Sequence, residues 1–361
     1  MKGMNFMNPK IKWLRDKLLL SNMEGMIVSN PINIKYLTGI DAEGTLLIAR
    51  KENIFITDGR YLEHVRSTLT IDDGIIVCDV RDISPEDYKN FFSYCENVGF
   101  EENYITYAKY KEYMHKYLIN NFEETEYIIE KQRLIKDEKE IEKIERACQI
   151  TDLCFSHLLE YIKKEMTEKE IAAEIERFFK LNGAEGLAFD TIVASGKNSS
   201  KPHAVPTDRK IQEGDLITID MGCCYQGYMS DMTRTIFVGY IPEETKKVYD
   251  LVLKNQLQTL DELKEGANLR IISKMVENDF KLNGYPLIHS LGHGVGLEIH
   301  EFPYITSNSD YVLKENIILT NEPGIYLPDK FGVRIEDTVL ITKYGCITLT
   351  NSEKNYIIID G

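Results

Sequence analysis

Four carboxylates in two similar settings are the groups of this 361-residue chain whose type and spacing could do chemistry. In LITIDMGCCYQGYMSDMTRTIFVG, residues 216 to 239, Ile217 and Ile219 alternate before Asp220, and Thr233, Thr235 and Phe237 alternate after Asp231. That alternation predicts two strands of one hairpin. A turn centred on Tyr225 and Gln226, with Gly227 free to take positive φ, would set Asp220 opposite Asp231. In IILTNEPGIYLPDKFGVRIEDTVLIT two β-rich arms enclose the turn PDKFG, and Glu322 and Glu336 are equidistant from its centre at Asp329. Opposed carboxylates repel, which raises a pKa and costs stability unless a cation lies between them. Between the hairpins runs HSLGHGVGLEIHE, where Gly292, Gly294 and Gly296 permit close backbone approach while His293 and His300 project.

Four carboxylates and one imidazole are too few for two separate mononuclear sites and fit one dinuclear site with bridging carboxylates. Two divalent ions against four carboxylates leave a near-neutral cluster. Each ion lowers the pKa of the water it holds, supplying a nucleophile near neutral pH. Oxygen-rich ligation with a single histidine favours Mn²⁺, with Co²⁺ or Zn²⁺ as alternatives. An isolated Asp at a strand end is commonly a turn former, and a His beside glycines is commonly structural. Four acids placed alike in two hairpins, with a histidine strand between them, are not accounted for by a solvated surface.

The elements that must position these groups fall into two predicted domains, residues 1–129 and 130–361. The first alternates helix and strand: Ile11, Leu14 and Leu18 keep helical spacing, GMIVSN reads as a strand, TLLIAR and NIFITD as a hairpin across Lys51 and Glu52, and IIVCDV as a further strand. Its tyrosines between 88 and 127 have no ligand spacing and read as a packed, partly exposed aromatic layer. The second domain opens with EKQRLIKDEKEIEKIERA, read as the start of a long amphipathic helix with Ile141, Ile144, Cys148, Phe155, Leu158 and Ile162 on one side. Thr167 and Glu170 form a capping box for a second helix ending at Gly183, and a third runs from Pro242 to about Gly266. Helices on an antiparallel sheet make this an α+β domain beside an α/β one.

A formal charge of −15 argues against nucleic acid and anionic membrane as partners. No apolar run approaches the ~18 residues of a membrane span, and MKGMNFMNPKIKW lacks the apolar core of a secretion signal, so a cytoplasmic setting is expected. Seven cysteines without a C-x-x-C pair suit reduced, packed thiols.

DMGCCYQGYMSDMTRT, SLGHGVGLEIHE, TNEPGIY and GVRIEDT resemble, in order and wording, the pita-bread metallopeptidases, above all the aminopeptidase P and prolidase branch. NPINIKYLTGI and ITDGRY are similar to that branch's creatinase-like N-terminal domain. The resemblance implies a pseudo-twofold pita-bread fold for residues 130–361 and two metal ions held by Asp220, Asp231, His293, Glu322 and Glu336, with Asp231 and Glu336 bridging. It implies that Glu322 also shuttles a proton, that His203 in KPHAVP and His300 act on substrate and tetrahedral intermediate, and that Arg334 braces the ligands or is merely an ion pair. A proline-containing peptide is the implied substrate, and a homodimer the expected assembly. Some dipeptidases of the branch carry an arginine soon after the second histidine, whereas EFPYITSNSD has Tyr304 and none. This orders an aminopeptidase P-like activity ahead of an Xaa-Pro dipeptidase. Methionine aminopeptidases share the five ligands without such an N-terminal domain, and creatinase-like or binding members lose ligands, of which none is missing here.

Overall fold

The computed structural model describes residues 8–50, 52–69 and 74–360, so Lys51 of the expected hairpin turn lies outside the described residues. The chain divides into two compact units, one ending at Arg133 and one beginning at Leu134.

The first unit runs α1 (Pro9–Leu20), β1 (Gly25–Val28), α2 (Pro31–Thr38), β2 (Thr45–Ile48), β3 (Asn53–Thr57), α3 (Leu62–Thr68), β4 (Ile75–Asp79), α4 (Pro85–Phe91), β5 (Asn97–Phe100), α5 (Tyr107–Tyr117), β6 (Asn121–Glu124) and α6 (Ile128–Arg133). Asn8 starts α1 by accepting from the Lys10 N–H, Pro9 supplies the preset φ of the first turn, and Ile11, Leu14 and Leu18 are buried. The sheet order is β4-β3-β2-β1-β5-β6. Its parallel pairs β3 with β4 and β5 with β6 are each bridged by a helix, and a third parallel pair, β1 with β5, is joined by the longer crossover from α2 to α4. The tyrosines pack as expected, with Tyr88 and Tyr113 edge-on to Tyr117 and Tyr110 stacked on Phe122.

The second unit opens with α7 (Glu138–Tyr161), α8 (Glu168–Leu181), β7 (Gly186–Leu187), β8 (Ile192–Ser195), β9 (Leu216–Met221), β10 (Cys223–Tyr225), β11 (Tyr228–Met229) and β12 (Met232–Val238). It continues with α9 (Glu243–Glu262), α10 (Leu269–Leu282), β13 (Gly292–Gly294), β14 (Glu301–Ile305), β15 (Ile318–Asn321), β16 (Gly324–Leu327), β17 (Phe331–Arg334), β18 (Asp337–Ile341), β19 (Cys346–Thr348) and β20 (Ile358–Ile359). Two helices followed by three mutually antiparallel strands, β8-β9-β12, recur as two helices followed by β13-β15-β18. This is the repeated architecture that the pita-bread resemblance implies. Ile171, Ile175 and Phe179 of α8 pack with Ile217, Ile219 and Ile236, while Val252, Val276 and Phe280 of α9 and α10 pack with Leu319, Val339 and Ile341.

Three expectations are corrected. The charged run does not enter one helix: α6 ends at Arg133, and α7 starts only after Asp137, which forms a capping box with Glu140. Ile144, Cys148, Phe155 and Leu158 are buried in α7, but Ile141 is only partly so. Helix α10 was not anticipated, although Leu269, Ile272, Val276 and Phe280 carry its buried stripe. The expected box of Thr167 and Glu170 does cap α8.

Candidate metal centre

The first hairpin is staggered relative to the expectation. Gln226 and Gly227 both have positive φ, 49° and 82°, and form a two-residue turn between Tyr225 and its partner Tyr228. Left-handed φ at both central residues is what a turn matched to strand twist demands. The centre therefore lies between Gln226 and Gly227, and Asp220 pairs with Thr233 rather than Asp231. Asp231 falls opposite Gly222, where a β-carbon would lie 1.9 Å from the Ser230 carbonyl oxygen. Because Asp231 is two residues from Thr233, it is a diagonal neighbour of Asp220 and not its direct partner. The second hairpin keeps the expected centre: Asn321 pairs with Asp337 and Gly324 with Arg334, placing Glu322 and Glu336 opposite each other in the gap between the two ladders.

Asp231, His293 and Glu336 converge, each with a ligand atom within 4.8 Å of the others'. His293 Nδ1 lies 3.1 Å from the Gly294 carbonyl, which can only accept, so Nδ1 carries the proton. Its Nε2 lone pair then faces Asp231 at 3.6 Å and Glu322 at 3.4 Å. Asp220 and Arg334 form a buried ion pair of 2.6 Å through Oδ2, while Asp220 Oδ1 is buried without a hydrogen-bond partner. Arg334 also donates to Thr233 Oγ1 and to the Tyr326 hydroxyl, and Thr233 Oγ1 donates to Glu336 at 2.6 Å.

The electrostatics are those of a cluster in which one guanidinium, Arg334, is outnumbered by four carboxyls. Burial, then the neighbouring carboxylates Glu336, Asp220 and Glu322, hold the Asp231 carboxyl well above the usual carboxylate range. Burial and the same kind of repulsion raise Glu336, and burial pushes Glu322 up to about 8. His293 is lowered to about 4 by burial and by nearby His300, so it is neutral and able to ligate. An unpartnered carboxylate oxygen, a lone pair aimed at acids and mutually repelling carboxyls fit a divalent cation.

These groups line one cleft of about 1030 Å³, together with His203, His300 and Tyr304. His203 and His300 are exposed, and the His300 ring lies 4.4 Å from that of His293, centroid to centroid. His289 also lines the cleft and was missed in the sequence. Its Nδ1 meets the Ser290 carbonyl at 2.7 Å and its Nε2 the Tyr326 hydroxyl at 3.0 Å, so Arg334, Tyr326 and His289 form a continuous hydrogen-bonded chain. Burial, then the Arg334 charge, lower His289 to about 4. No spacing signal marks it, since its link to Arg334 runs through Tyr326, 37 residues on.

A repeated α+β fold whose cleft gathers four carboxyls around the His293 imidazole defines a class of metal-dependent enzymes. Residues 142–343 match metallopeptidase family M24, and residues 10–135 match the creatinase/prolidase N-terminal domain. The chain belongs to that metallopeptidase family. It is 37% identical to an Xaa-Pro dipeptidase of Pyrococcus horikoshii over 98% of this chain and 100% of the relative. A solved Xaa-Pro dipeptidase from Bacillus anthracis matches with TM-score 0.91 at 35% identity, covering 97% of this chain and 99% of that one. An X-Pro aminopeptidase from Thermotoga maritima matches with TM-score 0.87 at 32% identity, covering 95% and 100%. These relatives favour the dipeptidase, which the sequence reading had ranked second. No helix among the described residues is long and apolar enough to cross a membrane.

Proposed function

We propose that the chain is an Xaa-Pro dipeptidase, with residues 130–361 as catalytic domain and residues 1–129 as its creatinase-like N-terminal domain. The observation that carries this is the near-full-length likeness to Xaa-Pro dipeptidases, taken with the convergence of Asp231, His293 and Glu336. In this reading Asp220, Asp231, His293, Glu322 and Glu336 would hold two divalent ions, Mn²⁺ first. Bound there, such ions lower the pKa of water and polarise a carbonyl.

The chain's own groups do the rest. Glu322 accepts a proton from the attacking water at its carboxylate and passes it to the departing proline nitrogen. His203 and His300 hold the substrate and the oxygen on which charge develops. Arg334 touches Asp220, Thr233 and Tyr326, so its work is to position a ligand rather than to meet substrate. A homodimer is part of the same proposal, and sedimentation velocity checks it.

The test compares Xaa-Pro with Xaa-Pro-Yaa peptides on stripped enzyme given Mn²⁺ or Co²⁺. Cleavage of the dipeptide and sparing of the tripeptide is expected. Tyr304 at the cleft wall favours a second reading, because among the described residues Arg334 is the one arginine or lysine lining the cleft, and it is engaged by Asp220. Tripeptides cut at least as fast would turn the assignment to an aminopeptidase P-like enzyme.

A further inference from the structure

His203 sits in a segment between Ser195, the last residue of β8, and Thr207, whose residues 202–206 line the cleft. One side chain grips both ends. Glu168, at the first turn of α8, is fully buried and does not line the cleft. Its Oε1 accepts from the Ser195 N–H at 2.6 Å and the Ser195 hydroxyl at 2.7 Å. Its Oε2 accepts from Asn198 Nδ2 at 2.8 Å and from the Thr207 N–H and hydroxyl at 2.9 and 2.7 Å. Five donors saturate a carboxylate that has about four lone-pair sites. Asn198 extends the grip by also donating to the Val205 carbonyl, two residues beyond His203.

We propose that Glu168 is a positioning residue for catalysis: its carboxylate ties the two ends of the 195–207 segment together and so fixes His203 over the cleft. The inference rests on the reading in which His203 acts on the substrate. An apolar side chain would fill the same space without the desolvation penalty of a buried carboxylate, but would take five hydrogen bonds from the two ends of the segment and leave their donors unmatched. Only an acceptor at both oxygens serves. Glutamine has nearly the same shape, yet its NH₂ must face either the two donors at Oε1 or the three at Oε2.

The experiment is a double-mutant cycle on the metal-loaded enzyme with an Xaa-Pro dipeptide. Glu168→Gln is expected to lower kcat/KM by about 10- to 100-fold, the scale of a displaced catalytic group, with metal content unchanged. In a His203→Ala background the same substitution should change kcat/KM by less than about 3-fold, because the group it positions is already gone. Equal losses in both backgrounds, or no loss in either, would overturn the proposal. Should Glu168→Gln fail to fold, Thr207→Val, which removes one donor and keeps the backbone N–H, carries the same cycle with a smaller loss. Amide hydrogen exchange supplies a readout independent of turnover. Faster exchange confined to residues 196–207 supports the clamp, and unchanged or uniformly faster exchange refutes it. If the wild-type enzyme spares Xaa-Pro peptides, the dipeptidase reading falls and the exchange result still decides the role of Glu168.

Discussion

The two acid-bearing hairpins are built alike and supported differently. In the β15–β18 hairpin Glu322 and Glu336 stand directly opposite each other, while in the β9–β12 hairpin Asp220 faces Thr233 and Asp231 faces the Gly222 position. The stagger leaves a hydroxyl where a second carboxylate would otherwise be. Thr233 uses it to accept from Arg334 and to donate to Glu336, both on the other hairpin. The opposed hairpin in turn sends Arg334 to Asp220. One hairpin therefore supplies the charge that steadies its neighbour, and the other supplies the hydroxyl that orients its neighbour's carboxylate. Equal spacing along the chain does not mean equal support.

The largest expected effect removes what both hairpins share. Stripping divalent metal should abolish peptidase activity, with recovery on Mn²⁺ or Co²⁺. Full turnover in excess chelator, with metal content confirmed near zero, would sink the shared-site account. Next is the brace itself. Arg334→Met should leave Asp220 as an uncompensated buried charge, costing about 3–5 kcal/mol of stability in denaturant titrations. Metal affinity should fall about 10- to 100-fold. A variant as stable as wild type would make the two hairpins independent.

Stripped protein should also become less stable as pH rises from 6.5 to 8. Above the usual histidine value of 6.5, His289 and His293 are neutral whether folded or not. Glu322 is held up to about 8, and Asp231 and Glu336 are also raised, so the folded chain binds more protons than the unfolded one. Stability supplied by these groups is full below their unfolded pKa and is lost as pH rises through the folded one. Metal-loaded protein should lack this slope, because the cation replaces the protons. Thermal melts of both forms across that range make the comparison, and identical slopes would count against it. The smallest effect belongs to Thr233→Val, which keeps shape and removes the hydroxyl. About 1–3 kcal/mol should be lost from the metal-free fold. A larger loss than that of Arg334→Met would reverse the ranking of the two supports.

Much of this was legible in the sequence where the signal was local. The turn at PDKFG has Asp329 at its centre with φ of 59°, and counting outward from it finds Glu322 opposite Glu336. The same count failed at the first hairpin because positive φ at Gln226, a residue with no strong preference for it, moved the centre by one position. Helix α10 carried a readable stripe and was passed over between Gly266 and Gly284. What could not be read are the partners that only tertiary folding unites: Arg334 with Asp220, 114 residues apart, Thr233 with Glu336, and Glu168 with Thr207. Hydroxyls and buried acids of this kind have no spacing rule.

The crossing of Arg334 and Thr233 between hairpins also makes the catalytic unit a lock with its parts on separate keys. Cutting the chain between β12 and α9, near Tyr240, would put Asp220, Asp231 and Thr233 on one fragment and His293, Glu322, Arg334 and Glu336 on the other. Leu216 and Phe237 of the first fragment lie in the same apolar core as Val248, Leu319 and Val339 of the second, which gives the pieces a surface on which to find each other. Neither piece alone could assemble the metal-binding set. Restored peptidase activity would then be a direct signal that two separately expressed halves, or two proteins fused to them, had come together.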